Sequence, residues 1–204
     1  MKPENIVIDS QGFPKLTDFG LAKENITKNN LVKTICGTPE YIAPEIIYKQ
    51  GYGHAVDWWS LGCIIYEMLI GTHPFYVEER REVYKSIVSK PVRILAPINP
   101  LASDLIIELL RKDPKKRLGY RDGRDVMKHK WFHDVNWDAL INKQVTPSFV
   151  PVMKGSLDTS FFSEDFTKMP INESPNADGP IGCSPTYAGF SYSADSQRID
   201  ANES

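Results

Sequence analysis

Hydrophobic positions follow helical spacing through much of the first 140 residues. The longest apolar run covers residues 57–70 and predicts a helix buried in the middle of a domain, with Gly71 placed to end it. Shorter patterns predict helices over 80–89, 103–111 and 125–130. The pattern therefore predicts a mainly α fold.

The N-terminal part departs from this helical pattern. A β-branched run at 6–8 and an extended stretch at 14–17 flank a turn, which predicts a short β-hairpin. Residues 19–45 keep no sustained period and contain scattered glycine and proline, so we expect a long loop. Long loops inside a domain are usually functional.

The composition changes after about residue 145. Residues 163–204 are rich in Ser, Pro, Gly and acidic side chains and are too polar to fold alone. Aromatic residues nevertheless recur at 161–162, at Phe166 and within 187–192. We expect an extended, partly disordered tail with a few aromatic anchors.

Charge and composition exclude several classes of partner. The 24 basic and 26 acidic residues give a net charge of −2, which offers no global attraction for nucleic acid or an anionic membrane. No apolar run reaches the length of a membrane span, and the N-terminus lacks the apolar segment of a secretory signal. Three widely spaced cysteines favour a reducing compartment, the cytoplasm or also the nucleus. Nothing in the sequence indicates an oligomer.

Three motifs near the N-terminus point to a chemistry. They are Lys-Pro-Glu-Asn at 2–5, Asp-Phe-Gly at 18–20 and Gly-Thr-Pro-Glu-Tyr-Ile-Ala-Pro-Glu at 37–45. Their order and spacing resemble the C-terminal lobe of a protein kinase, from the end of the catalytic loop to the end of the activation segment. The resemblance implies a kinase large lobe over 1–133 that transfers the γ-phosphate of ATP to Ser or Thr.

The resemblance assigns roles that fit the chemistry of these side chains. Mg²⁺ prefers oxygen ligands, so Asn5 and Asp18 would hold the ion beside ATP. Lys2 would place a positive charge near the transferred phosphoryl group, and Val7 would line the nucleotide site. Thr38 would hydrogen-bond toward Lys2 and the catalytic aspartate of the family. Alone, each Asp or Asn would be read as a solvated turn residue.

Further segments resemble the AGC group of Ser/Thr kinases. The sequence around Thr34 is similar to an AGC activation loop, which makes Thr34 a phosphosite for an upstream activating kinase. Ser174-Pro175 resembles a turn motif, and Ser191 between two aromatic residues resembles a hydrophobic motif. Residues 134–204 would then be the AGC tail, whose sequence is most similar to that of the ribosomal-protein-kinase subgroup.

The family pattern also assigns a substrate face and a set of structural residues. Carboxylates in this face would select protein substrates with arginines upstream of the target residue, although Glu67 on a helix is also compatible with a solvated position. The candidate substrate-binding residues are Glu4, Ile35, Pro39, Glu40, Ile42 and Glu67. The candidate structural residues are Phe19, Gly20, Glu45, Asp57 and Arg117, with Glu45 and Arg117 expected to pair and Asp57 to brace the catalytic loop.

One competing site was weighed. His129 and His133 have a spacing that places both on one helix face, but the segment lacks the glutamate of the H-E-x-x-H zinc motif. It matches the last helix of a kinase lobe better.

The resemblance begins inside the catalytic loop. The 204 residues contain no glycine-rich phosphate loop, no V-A-I-K lysine and no H-R-D aspartate, and the partner small lobe (N-lobe) is missing. We therefore expect this polypeptide alone to be inactive. Three explanations stay open: a piece of a complete kinase, a non-catalytic regulatory or binding module of pseudokinase type, and a structural relic.

Overall fold

Helices account for most of the secondary structure that is described. The computed structural model describes residues 1–24, 26, 31–32, 34, 36–155 and 157–170. The chain divides into two compact units, Met1–Met153 and Lys154–Ser204. The mainly helical fold class with one short hairpin is thus confirmed.

The first unit carries the hairpin and six of the described α-helices. Strands β1 (Ile6–Ile8) and β2 (Pro14–Leu16) pair antiparallel. The helices are α1 (Pro44–Ile47), α2 (Ala55–Ile70), α3 (Val83–Ser89), α4 (Pro100–Leu109), α5 (Arg124–Met127) and α6 (Trp137–Ile141). Single 3₁₀ turns lie at Pro3–Asn5, Pro39–Tyr41, Arg80–Glu82, Pro114–Lys116 and Lys130–Phe132.

Helix α2 forms the centre of the core and packs against α4. Its Trp59 is fully buried and stacks on Phe75 with ring centroids 5.4 Å apart. The helix ends at Gly71, whose φ of 82° lies in the left-handed region that glycine adopts readily. Asp57 in its first turn and Met68 and Leu69 near its C-terminus are exposed, so the helix is not buried on all sides.

The predicted helices differ from the observed ones mainly at their ends. Helix α4 begins earlier than expected, because the Asn99 side chain accepts a hydrogen bond from the Leu101 amide at 2.8 Å and Pro100 occupies the first turn. The segments 80–89 and 125–130 each divide into a 3₁₀ turn and a short α-helix. The expected loop over 19–45 contains the turn Pro39–Tyr41 and the start of α1.

Gly119 packs tightly against the side chain of Trp58. Gly119 has a φ of 88°, and a Cβ atom there would lie 2.6 Å from Trp58 Nε1. We expect Gly119→Ala to lower the free energy of unfolding by about 2–3 kcal/mol through the clash and the backbone strain together.

The matched control for this prediction is Gly71. It has a similar φ of 82° but no atom within 4 Å of the same Cβ position. Gly71→Ala should therefore cost only about 1 kcal/mol. Equal losses for the two variants in urea denaturation would show that the contact with Trp58 is unimportant.

The second unit contains helix α7 (Glu164–Thr167) within its described part. The Ser163 hydroxyl caps this helix by accepting a hydrogen bond from the Asp165 amide at 3.3 Å. The aromatic side chains of Phe161, Phe162 and Phe166 are exposed. The predicted tail phosphosites Ser174 and Ser191 lie outside the described residues.

A search of the described residues for a helix long and apolar enough to cross a membrane finds none.

Candidate active site and peptide-binding face

The β-hairpin brings Asn5 and Asp18 together. The register pairs Ile6 with Leu16, so the residues just outside the strands face each other, and the Asn5 carbonyl accepts a hydrogen bond from the Thr17 amide at 2.8 Å. The Asn5 Nδ2 group then donates to Asp18 Oδ2 at 3.3 Å. Asn5 and Asp18, thirteen residues apart in the sequence, thus form a side-chain contact.

Asp18 has an unusual backbone conformation. Its φ is 59°, in the left-handed region that non-glycine residues adopt rarely, although Asp and Asn tolerate it best. The Gly20 amide donates to Asp18 Oδ1 at 3.2 Å, and the side chain is exposed. Such strain clusters at functional sites.

The oxygen donors at this site suit a hard divalent cation, since Asp18 has a carboxylate and Asn5 an amide oxygen. The Asn5 nitrogen is the atom that faces Asp18, so joint coordination of one ion would require the Asn5 amide to rotate. Two protein ligands leave the remaining positions for phosphate oxygens and water, as Mg²⁺ prefers. Within the described ranges there is no cluster of three or more His, Cys, Asp or Glu side chains placed to hold a metal.

Three other sequence-predicted residues lie outside the contact of Asn5 with Asp18. Lys2 precedes the turn Pro3–Asn5, and its carbonyl accepts a hydrogen bond from the Asn5 amide at 3.1 Å. Val7 is half-buried in β1 opposite Lys15. Thr38 is half-buried and precedes the turn Pro39–Tyr41.

An acidic cavity of about 470 Å³ gathers three of the predicted substrate-binding carboxylates. Glu4, Glu40 and Glu67 line it together with Thr38, and Glu78 adds a fourth carboxylate that the sequence did not single out. We call it the acidic pocket. Its residues come from four separate stretches of the chain, so only the fold unites them.

Two of these carboxylates have internal partners. Tyr41 Oη donates to Glu67 Oε2 at 2.5 Å, and burial together with this bond raises the pKa of Tyr41. Glu40 Oε1 lies 3.7 Å from Arg80 Nε. Its other oxygen, Oε2, is buried and has no hydrogen-bond partner among the described residues. Glu40 therefore keeps an acceptor that no described residue uses.

A comparison with family models decides what this arrangement belongs to. The model described as protein kinase domain matches residues 1–132, which is more than half of the chain. The chain belongs to the protein kinase family.

Curated relatives support the same conclusion. The kinase chain is 45% identical over 207 aligned positions to the serine/threonine-protein kinase Sgk1 of Homo sapiens, covering 94% of this chain and 47% of the relative. It is 47% identical over 189 positions to Sgk1 of Danio rerio, covering 92% and 42%. The chain thus spans less than half the length of these relatives. They support the AGC group, whereas the ribosomal-protein-kinase subgroup stays a prediction.

A buried ion pair holds helix α1 in place. Arg117 donates to Glu45 at 2.7 Å and 2.9 Å in a bidentate arrangement, and both residues are at most 5% exposed. The Arg117 guanidinium also donates to the Ala55 carbonyl at 2.8 Å and lies over the Trp59 ring. Arg117 thereby ties α1 to the start of α2.

The remaining substrate and phosphosite residues are placed unevenly. Pro39 is half-buried, while Ile42 is only 3% exposed and belongs to the hydrophobic core. Ile42 packs inward in this core, and its role in substrate binding stays a prediction. Thr34 is exposed, with its carbonyl accepting from Tyr52 Oη at 2.8 Å, and Ile35 lies outside the described residues.

The other residues predicted to have structural roles are Phe19, Gly20 and Asp57. Phe19 and Gly20 are exposed. Asp57 is exposed in the first turn of α2, and its carboxylate has no hydrogen bond to any other described residue. Partial desolvation raises the pKa of Asp57, opposed by the nearby N-terminal ammonium and His54. The bracing role of Asp57 stays a prediction.

The two candidate zinc ligands have separate partners. His129 Nε2 lies 3.3 Å from Asp104 Oδ2, and its Nδ1 accepts a hydrogen bond from the Trp131 amide. His133 Nε2 lies 3.0 Å from Asp134 Oδ2.

His73 lines the site although no sequence motif pointed to it. It lies in the connection after α2, lines the acidic pocket and packs edge-on against Tyr41 at 5.1 Å between ring centroids. Burial lowers the pKa of His73 to about 4, against the opposing effect of Glu67 and Glu40. The imidazole is therefore neutral at pH 7.

This burial predicts a pH dependence of stability. The folded-state pKa of His73 lies below its unfolded value of about 6.5, so the unfolded chain binds more protons between these values. The contribution of His73 to the free energy of unfolding is fully present above pH 6.5. It decreases as the pH is lowered toward 4, by up to about 1.4 kcal/mol per pH unit.

Urea denaturation at several pH values measures this effect. The free energy of unfolding of the unchanged chain, relative to that of His73→Gln, should decrease as the pH falls from 6.5 to 4. The variant carries no titrating group at this position. A constant difference across that range would mean that His73 titrates normally in the folded state.

Proposed function

We propose that the chain supplies the metal-binding and peptide-binding parts of a Ser/Thr protein kinase that transfers the γ-phosphate of ATP to basic protein substrates. The observation that carries this proposal is the contact of Asn5 with Asp18 at 3.3 Å, with Asp18 in a left-handed conformation. The family uses ATP and Mg²⁺, and the oxygen donors present suit that ion.

Each residue of the motif has a separable task. Asp18 and Asn5 would orient Mg²⁺ against the ATP phosphates, where the ion supplies charge neutralisation of the transferred group. Lys2 would add a point charge at the same group, and Val7 would contact the nucleotide. Thr38 would orient Lys2 and the aspartate of the H-R-D segment, which lies outside these 204 residues.

Selection of basic substrates is supported by the acidic pocket. Glu4, Glu40, Glu67 and Glu78 line one cavity, and a guanidinium pairs well with carboxylates because it donates two parallel hydrogen bonds. The unused Oε2 atom of Glu40 is a ready acceptor for such a donor. Arginine upstream of the target residue is therefore the side chain we expect the pocket to select.

Regulation would act through Thr34. Its exposed position makes it accessible to an upstream activating kinase, and a phosphate there adds about −1.5 to −2 charges to the activation segment. We place this regulation in the cytoplasm, and in the nucleus as well, as the cysteine usage indicates.

The test joins this chain to what the motif lacks. The 204-residue polypeptide and a fusion carrying the small lobe and H-R-D segment of human Sgk1 are assayed with Mg²⁺-ATP and an Arg-x-Arg-x-x-Ser peptide. We expect phosphorylation by the fusion and none by the chain alone. Turnover by the chain alone that disappears in Asp18→Ala would contradict the proposed division of roles. A fusion that binds the peptide but stays inactive would instead support a binding module.

Arg80 is expected to weaken the recognition of basic peptides. Its guanidinium lies near Glu40, where a substrate arginine would bind, so the two positive charges compete. Arg80→Ala should tighten binding of the Arg-x-Arg-x-x-Ser peptide by up to about fivefold, the scale of one exposed ion pair.

The neighbouring Arg81 provides the control for that measurement. It carries the same charge but pairs with Glu79 at 3.8 Å and does not line the acidic pocket. Arg81→Ala should leave peptide binding nearly unchanged in a fluorescence titration. Equal effects of the two variants would reduce the role of Arg80 to its net charge.

A further inference from the structure

A second cavity, of about 600 Å³, lies next to the acidic pocket and shares its wall of His73, Phe75 and Tyr76. We call it the basic pocket, because Lys90 and Arg93 line it. All of its lining residues are described, and none of them is a carboxylate. Its volume is in the range of ordinary ligand sites.

Two buried polar groups line this pocket without partners. Ser86, on α3, is 2% exposed, and its hydroxyl has no hydrogen-bond partner among the described residues. His73 is 9% exposed, and its Nε2 atom likewise has none there. Buried polar atoms are normally paired, so each of these groups needs an explanation.

The protonation state of His73 follows from its other ring nitrogen. The Phe75 amide donates to His73 Nδ1 at 3.4 Å, so this nitrogen accepts and carries no proton. A neutral imidazole then has its proton on Nε2. The unpaired atom is therefore a hydrogen-bond donor.

The two cations of the pocket are also available for a ligand. Lys90 and Arg93 are exposed, and neither forms an ion pair with another described side chain. Together with Ser86 and His73 they give four side chains that donate hydrogen bonds. The matching ligand has several acceptor oxygens and a negative charge.

We propose that the basic pocket binds a phosphomonoester, with Lys90 and Arg93 as its charged donors and Ser86 and His73 as neutral donors at its base. A phosphate dianion offers three acceptor oxygens and pairs strongly with ammonium and guanidinium groups. The aromatic wall at Phe75 and Tyr76 gives the carbon skeleton of the ligand an apolar surface. This site is separate from the metal-binding residues and does not depend on the proposed catalytic function.

The test follows amide signals of the ¹⁵N-labelled full chain during titration. The probes are a phosphoserine tripeptide, glycerol 3-phosphate and inorganic phosphate, with the unphosphorylated tripeptide as the neutral control. We expect saturable shifts at residues 72–76 and 86–95 with the phosphorylated probes only. Tighter binding of the phosphopeptide would identify a phosphorylated protein as the source, and tighter binding of glycerol 3-phosphate a small metabolite.

Variants separate a built site from general attraction of anions. Lys90→Ala and Arg93→Ala should each weaken phosphate binding by about tenfold, the effect of losing one charge-assisted hydrogen bond. Lys85→Ala is the control, because Lys85 lies on α3 next to Ser86 but pairs with Glu82 at 3.0 Å and does not line the pocket. Ser86→Ala should also weaken binding while raising the melting temperature of the free chain, since an unpaired buried hydroxyl is removed.

Two results would overturn the proposal. The first is no saturable shift at 72–76 or 86–95 with any phosphorylated probe. The second is an equal loss of affinity in Lys85→Ala and in the two pocket variants, because the phosphate would then respond only to net charge.

Discussion

Replacing Arg117 with alanine is expected to lower the free energy of unfolding by about 3–5 kcal/mol. The guanidinium holds Glu45 through two hydrogen bonds and donates three more, to the carbonyl groups of Ala55, Arg111 and Lys112. Alanine would leave the Glu45 carboxylate buried and unpaired, which is the costly way to break such a pair.

The measurement is urea denaturation followed by circular dichroism. Arg111→Ala is the control, since Arg111 pairs near the surface with Glu108, three residues before it, and its loss should cost at most about 1 kcal/mol. Replacing Glu45 and Arg117 together by methionine should restore part of the loss, because no charge stays buried. A loss in Arg117→Ala no larger than in Arg111→Ala would contradict the structural role of the pair.

Replacing Asp18 with asparagine is expected to reduce phosphoryl transfer by the Sgk1 fusion on the order of 10²–10³-fold, as when one group that stabilises transition-state charge is removed. Asparagine suits this position because it also tolerates the left-handed backbone and is similar in shape. The fold should therefore survive while the metal ligand loses its charge.

Steady-state kinetics with Mg²⁺-ATP checks this expectation. Asp122→Asn is the control, because Asp122 is a surface carboxylate that pairs with Arg124 at 2.7 Å away from the hairpin. It should leave the rate unchanged. An Asp18→Asn fusion that keeps nearly full activity would remove Asp18 from the mechanism.

Periodicity predicted the long helices because a helix in the core repeats its apolar positions every three to four residues. The helix predicted over 57–70 corresponds to α2, Ala55–Ile70, and its predicted end at Gly71 is confirmed. The short elements were harder, since turns such as Arg80–Glu82 and Lys130–Phe132 are set by local hydrogen bonds without an apolar repeat. The start of α4 depended on a cap at Asn99 that lies ahead of its apolar face.

The site was predictable to the extent that it consists of contiguous motifs. Motif spacing singled out Asn5 and Asp18, and the hairpin register explains their contact. His73 and Arg80 were missed because their importance arises only where distant segments meet in the acidic pocket. Ile42 was assigned to substrate binding on its motif position alone, and its burial depends on packing that a motif does not encode.

Paramagnetic broadening by Mn²⁺ tests most directly whether Asn5 and Asp18 form a metal site. Mn²⁺ takes the same oxygen ligands as Mg²⁺ and broadens nearby amide signals. In the ¹⁵N-labelled chain we expect residues 5–7 and 17–20 to broaden first, more strongly with a non-hydrolysable ATP analogue, in the unchanged chain and in Asp122→Asn but not in Asp18→Asn. Broadening that centres elsewhere, or that persists at these residues in Asp18→Asn, would contradict a metal site at this pair.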